Sequence, residues 1–506
     1  MPILSQWLDE AARHHGSQRA LVYRDAYLSW RGLQHRVERR SQELRSMGVT
    51  PGTLVGLMLG NVPDFVVLAL ALDRLGAAAV PLDPATSIRD LDMLLEAAPI
   101  RALVTRPATN STAPVVAAPQ RPGSRPTPLA LRVTDVTKAA TPKHVAESKK
   151  RLAGSLLTVN FYKHAPVNLE LSLPSMVAFA ADAGGDPKGV LRSDAQLESI
   201  AASLGTALDA QPGQTILIPT PFHYSAGFDV GLLLGLGCQL TMVLEDEFSA
   251  KGLVRLLKDN GADLVLGTPA QYSAVCQTIT VALPTPKARC LCIESPGLRA
   301  ASAAFKAKFN GALIPIFHSA ETGPVALDLE GVSEDESMAG RLLPGVEARV
   351  TSQDGTTLPM GVAGRLWLKT NNASPAAVPQ LPRAIRSVGP VGIPIGRTDR
   401  DGWFRTGDLG FVDPVDGRLH VTGREDDLVW VEGRRVALGE VEGCLESFAL
   451  VKQAEARIVY DEHKGPMVVA RVVPTSACRV EDIIEHCARY LAPYKVPRHI
   501  ELCRQL

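Results

Sequence analysis

The feature that most constrains this chain is an alternation of short apolar runs with helical segments. Residues 53–60 form an apolar run of strand length, Asn61-Val62-Pro63 opens a helix, residues 64–75 continue it with almost no polar face, and residues 77–82 return to strand. Strand, helix and strand that are apolar on every side suit a parallel sheet covered on both faces. The pattern recurs with a strand at 215–218, a helix through 228–236, and strands at 239–244, 262–267, 289–294 and 312–316. The expected fold is therefore α/β, with a large N-terminal domain of parallel α/β sheets.

Beyond residue 340 the texture changes. Short strands at 350–354, 364–369 and 417–421 are separated by Gly and Asp turns, which predicts a β-rich subdomain over about 340–425. After Gly423-Arg424 the pattern is mixed: a helix near 438–447, strands near 454–460 and 466–473, and a helix near 480–490. These predict a small α+β domain over 426–506, following an N-terminal domain over 1–425. Residues 106–128 are rich in Pro, Ala, Ser and Thr without apolar period, and read as a surface loop.

Composition narrows the function. The 506 residues are enough for several folding units, and 53 Lys plus Arg balance 53 Asp plus Glu, so no global field points to nucleic acid or an anionic membrane. The longest apolar run, 65–72, stops at Asp73-Arg74, well short of the roughly 20 residues a membrane span needs. The first residues, Met1-Pro2-Ile3-Leu4-Ser5, lack the basic start of a secretion signal. A cytoplasmic monomer or homodimer acting on small molecules is expected. Of eight cysteines only Cys290 and Cys292 are close in sequence, on a predicted strand, and they read as buried reduced thiols because no second pair completes a zinc set.

The most specific block is Gly402-Trp403-Phe404-Arg405-Thr406-Gly407-Asp408-Leu409-Gly410, followed by Asp416-Gly417-Arg418 and Thr422-Gly423-Arg424. An Asp and an Arg on turns at the edge of a β-subdomain suit a ribose diol, since a carboxylate accepts two hydroxyl hydrogen bonds and a guanidinium donates several. This block resembles the signature of the adenylate-forming superfamily, which includes acyl-CoA and aryl-CoA ligases, peptide-synthetase adenylation domains and luciferases. The resemblance extends over nearly the whole chain, through Arg74-Leu75-Gly76-Ala77 to Pro81-Leu82-Asp83, Pro221-Phe222-His223, Phe317-His318-Ser319-Ala320-Glu321-Thr322-Gly323, and the segment 491–497.

What the resemblance implies is an acid-thiol ligase. A carboxylic acid, aryl or medium acyl, reacts with ATP and Mg2+ to give an acyl-adenylate and pyrophosphate, and the acyl group passes to coenzyme A or to the phosphopantetheine of an acyl carrier protein after the small domain rotates. By similarity Asp408 and Arg424 hold the ribose, Ser319 and Thr322 belong to the nucleotide motif, Glu321 binds the magnesium, and Lys188 with Gly184 and Gly185 belongs to the phosphate loop. Asp426 marks the hinge. His223 lines the acid pocket in the acyl-CoA and aryl-CoA branch, with Tyr224, Phe228, Asp229, Gly267, Thr268 and Tyr272 expected around it.

The chain also departs from the pattern. The loop Ala180-Ala181-Asp182-Ala183-Gly184-Gly185-Asp186-Pro187-Lys188-Gly189 contains no hydroxyl where the family is rich in Ser and Thr. Ala320 stands where a Thr or Ser is common, and Glu294-Ser295-Pro296-Gly297 stands where a Gly-Gly-Ala turn passes the adenine. The sequence given, ending at Leu506, contains no match to the family's Gly-Lys loop, whose lysine reaches the acyl carboxylate. These departures keep open a second reading: a member deficient in adenylation that binds or transfers a preformed acyl-adenylate or acyl thioester, or a non-catalytic binding partner.

Overall fold

The computed structural model describes residues 2–86, 91–92, 94–95, 98, 100–106, 148–152, 157–161, 175–181, 187–246, 248–258, 261–280, 283, 286–293, 298–333, 337–371, 398–424, 429–431, 434–436, 438–461, 465–476 and 478–503. Most of the predicted loop at 106–128 lies outside them.

The strand-helix-strand unit is present as Leu54–Met58, the helix Pro63–Arg74 and Ala78–Pro81, the two strands pairing in parallel. They belong to a sheet ordered Ser148–Arg151, Thr158–Phe161, Ile100–Thr105, Leu54–Met58, Ala78–Pro81, Met176–Ala181, Pro187–Arg192. Its middle is parallel and its two margins are antiparallel. A second, larger sheet contains a parallel run of Leu313–Ser319, Arg289–Ile293, Leu264–Gly267, Thr215–Ile218, Thr241–Leu244 and Arg19–Tyr23.

Burial on both faces explains the continuous apolar runs. Ile216 and Ile218, Leu264 and Leu266, and Leu291 and Ile293 enter a core shared with Val55, Leu57, Ala102 and Val104 of the first sheet. The alternate residues Leu217, Val265, Cys290 and Cys292 enter a second core on the opposite face, with Phe305 and Phe309. Side chains alternate along a strand, so each of these strands serves two cores at once. Pro63–Arg74 has buried residues along almost its whole length, as expected of a helix apolar all round.

One expectation needs refinement. The β-rich strands do not form a separate sheet: beyond Leu313–Ser319 the large sheet continues antiparallel through Gly323–Leu327, Met338–Leu342, Arg418–Arg424, Phe404–Val412, Gly364–Thr370 and Val346–Thr351. Toward the C-terminus, Val451–Asp461, Gly465–Pro474 and His499–Leu502 make a small sheet that shares its own core with the helices Leu438–Glu446 and Val480–Tyr490. Among the described residues no helix is long and apolar enough to cross a membrane.

Candidate active site

The carboxyl ends of parallel strands from the two sheets meet, and side chains just beyond those ends join them. Asn61, after Leu54–Met58, donates from Nδ2 to the carbonyls of Ile218 (2.9 Å) and Thr220 (2.8 Å), and its Oδ1 accepts the Phe222 amide (2.7 Å). Arg106, after Ile100–Thr105, pairs with Asp246, after Thr241–Leu244, at 3.0 Å. Asp83, after Ala78–Pro81, lies 3.6 Å from His223 Nε2. In open α/β sheets, ligands bind outside the carboxyl ends of strands, because loops there are free to carry chemistry while the strands below stay fixed.

His223 thus projects from a segment that Asn61 holds, a role that the sequence reading of Asn61 as a helix start did not show. The neighbouring Gly227 passes so close to Pro221 that an added Cβ would stand 2.2 Å from its carbonyl oxygen. A π-helical turn, Gly227–Leu233, follows; such turns recur at functional sites because the wider turn re-aims side chains. Tyr224 stacks on the His223 ring, with centroids 5.1 Å apart.

The remaining pocket candidates have other occupations. Phe228 is fully buried in the main core. Tyr272 is fully buried in the second core, its hydroxyl 3.0 Å from the carbonyls of both Val265 and Leu291, and burial raises the phenol well above its ordinary range. Gly267 leaves room for that ring, since a Cβ there would stand 2.7 Å from it. Thr268 caps the helix Pro269–Gln277: its hydroxyl accepts the Gln271 amide, and Gln271 Oε1 accepts the Thr268 amide. An aromatic residue after a strand looks the same in sequence whether it faces a pocket or a core, and Tyr272, expected in the pocket, lies in the second core.

Glu321 sits on the tight turn between Leu313–Ser319 and Gly323–Leu327 and is 8% exposed. Ser319 Oγ accepts the Thr322 amide at 3.1 Å and lies 2.7 Å from Thr322 Oγ1, so these two motif residues brace one another. Gly323 has φ of 69°, a left-handed conformation that favours glycine. Beneath the turn lies a network that takes in Asp229, expected in the acid pocket but buried here against Arg192 and His318. Arg192 Nη2 donates to the Ala320 carbonyl (2.6 Å) and lies 3.4 Å from Asp229 Oδ2, which is 2.9 Å from His318 Nε2. The signal that could have found it is an ionisable side chain next to an apolar run in each of three segments, since buried polar groups require partners.

Further along the large sheet, on interior strands where turns at an edge are expected, Phe404–Val412 pairs antiparallel with Arg418–Arg424 and sets Asp408 directly opposite Arg424. The Asp408 amide donates to Thr406 Oγ1 (2.9 Å), and that hydroxyl donates to the Leu366 carbonyl (3.0 Å). Asp408 is 5% exposed. The register shifts just beyond it, between Leu409 and Gly410, the kind of bulge common beside functional sites. Lys188 lies on the strand Pro187–Arg192, whereas Gly184 and Gly185 in the middle of the hydroxyl-free loop, Asp426 and 294–297 lie outside the described residues.

Residues 8–376 match the model of the AMP-binding enzyme family, and residues 440–506 match that of the AMP-binding enzyme C-terminal domain. The chain is 24% identical over 501 residues to a 2-succinylbenzoate–CoA ligase of Bacillus licheniformis, covering 97% of this chain and 94% of that ligase. It is 23% identical over 510 residues to a feruloyl-CoA synthase of an Amycolatopsis species, covering 99% and 95%. Among solved structures it is similar to o-succinylbenzoate CoA synthetase from Bacillus subtilis, with a TM-score of 0.76, 20% identity, and coverage of 100% of this chain and 95% of that one.

Proposed function

The chain belongs to the AMP-binding enzyme family, and on that premise we propose that it is an ATP-dependent, AMP-forming acid-thiol ligase acting on a small aryl or medium acyl carboxylic acid. The observation that carries this reading is the convergence at the Arg192 network. The strand bearing Lys188, the helical segment after His223 and the turn bearing Glu321 are joined there by hydrogen-bond distances of 3.4 Å or less. Phosphate, acid and metal-binding groups must be brought together for adenylation, and here three elements remote in sequence are.

In the proposed reaction a carboxylate oxygen of the acid attacks the α-phosphorus of ATP, and the bond to pyrophosphate breaks. The thiolate of coenzyme A then attacks the acyl carbon, and AMP leaves with the electron pair of the acyl C–O bond. Asp408, set opposite Arg424 across two strands, is assigned to the ribose hydroxyls. Lys188 counters phosphate charge, and His223, paired with Asp83, faces the acid. Glu321 offers one hard oxygen donor beside the hydroxyls of Ser319 and Thr322, a set that fits magnesium held by one carboxylate and substrate phosphates. When bound, that ion offsets negative charge on the phosphates. The relatives' names favour coenzyme A as the acceptor; a carrier-protein phosphopantetheine presents the same thiol chemistry.

Incubation with ATP, coenzyme A and a panel of aryl and medium-chain acids tests the reading. Acid-dependent AMP release matched by an equal amount of thioester is the expected result. Thioester formed only when a preformed acyl-adenylate is supplied, with no AMP released from ATP, would establish the adenylation-deficient reading instead.

A further inference from the structure

We propose that Arg192, together with Asp229 and His318, is a positioning device that fixes the Glu321 turn relative to the Lys188 strand and the segment after His223. The proposal rests on the ligase reading for its chemistry and on the following geometry for its structure. Arg192 ends the strand Pro187–Arg192, at the margin of the first sheet. Its guanidinium crosses to the second sheet and donates to the carbonyl of Ala320, the residue before Glu321, at 2.6 Å. His318, three residues before Glu321, makes the second grip through Asp229 at 2.9 Å. The turn is therefore held at its backbone and at its entry, from two elements remote in sequence.

The three side chains are only 1%, 1% and 4% exposed for Arg192, Asp229 and His318. The site is shaped for them: an added Cβ on Gly323 would stand 3.3 Å from Arg192 Nη1, so the guanidinium packs against a glycine. Asp229 lies on the π-helical turn Gly227–Leu233. Apolar residues of similar volume commonly stabilise a core as well as buried ions do, so stability alone does not call for this trio. What the polar trio adds is geometric selectivity, because a planar guanidinium reaches a carbonyl and a carboxylate together only in a narrow range of placements. A polar link of that kind sets a register that an apolar contact would leave sliding.

The test compares Arg192→Met, Arg192→Lys, His318→Leu and His318→Gln with a control, Ser5→Ala. The control removes a hydroxyl hydrogen bond from another buried long-range contact, Ser5 to Asp73. In Arg192→Met and His318→Leu, kcat for acid activation should fall about 10- to 100-fold, with KM for ATP and for the acid each changing less than about threefold, as expected when geometry rather than affinity is lost. His318→Gln, which keeps a donor toward Asp229, should recover most of the loss. Amide hydrogens of residues 319–323 should exchange about tenfold faster in the damaging variants, and not in Ser5→Ala. If Arg192→Met fails to fold, Arg192→Lys replaces it with the same two readouts. Folded variants with unchanged kcat and unchanged exchange at the turn overturn the proposal, as does equal loosening of the turn in Ser5→Ala. Should the parent protein show no acid activation, the ligase reading fails, and turn exchange alone then decides for or against positioning.

Discussion

The Asp408 hairpin and the Glu321 turn are held in opposite ways. Asp408 owes its place to near neighbours: the Thr406 hydroxyl two residues back, the left-handed Gly407 between them with φ of 83°, and a hairpin partner strand that sets Arg424 opposite. Glu321 stands on a turn gripped from 128 residues away by Arg192, while its entry residue His318 pairs across 89 residues with Asp229. Local geometry is written in residue order, and long-range polarity is written only as single charges scattered in apolar runs.

The largest effect should come at the remote-held end. Glu321→Gln should cut acid-dependent pyrophosphate exchange about 10²- to 10³-fold, the usual loss when one charge-stabilising group is removed from a reacting phosphate or acyl centre. A smaller loss would show that the turn's other groups share the work. At the locally held end, Asp408→Ala should weaken ATP by about 1.5 to 3 kcal/mol, or about 10- to 150-fold in KM, and leave KM for the acid unchanged. A parallel rise in both constants would mean that the hairpin also shapes the acid pocket, and the contrast between the two regions would break.

Asn61→Ala extends the contrast to stability. Losing the side chain leaves the Phe222 amide and the carbonyls of Ile218 and Thr220 without it, at an expected cost of about 1 to 3 kcal/mol in denaturant unfolding. KM for the acid should rise as well, since the His223 segment loses its anchor. The mildest effect concerns Asp73, buried against helix N-terminal residue Ser5 by hydrogen bonds of 2.7 Å from the amide and 2.6 Å from the hydroxyl. Burial pushes its carboxyl from 3.8 up to about 7. The unfolded chain therefore gives up a proton that the folded chain keeps, and stability should fall as pH rises through that window, by about 1 kcal/mol between about pH 6 and pH 7. Asp73→Asn should remove that slope, measured by urea unfolding at several pH values, without touching the site.

How much was legible follows the same division. The strand-helix-strand unit at 53–82 declared itself because its apolar period changes twice within 30 or so residues. The Gly402-to-Gly410 block is legible through its resemblance to the adenylate-forming signature, whose residues stand in fixed order within a short stretch. Hidden were features that depend on pairing over long separations. The β-rich strands read as a separate subdomain, yet Gly323–Leu327 and Met338–Leu342 carry the large sheet into them, and no local pattern states which edges will pair. Tyr272 and Phe228 were assigned to a pocket and lie in cores, since apolar aromatics satisfy both settings. Arg192 is hidden because a single arginine after Gly189-Val190-Leu191 looks like a strand end reaching solvent, and only its partners reveal a buried one.

The central claim is that this site activates a carboxylic acid with ATP, and acid-dependent exchange of labelled pyrophosphate into ATP tests it most directly. Label should enter ATP with at least one aryl or medium-chain acid, with no exchange without acid and loss of the signal in Glu321→Gln. Exchange no higher than the acid-free level across the panel, from protein that binds magnesium-ATP by calorimetry, would contradict it.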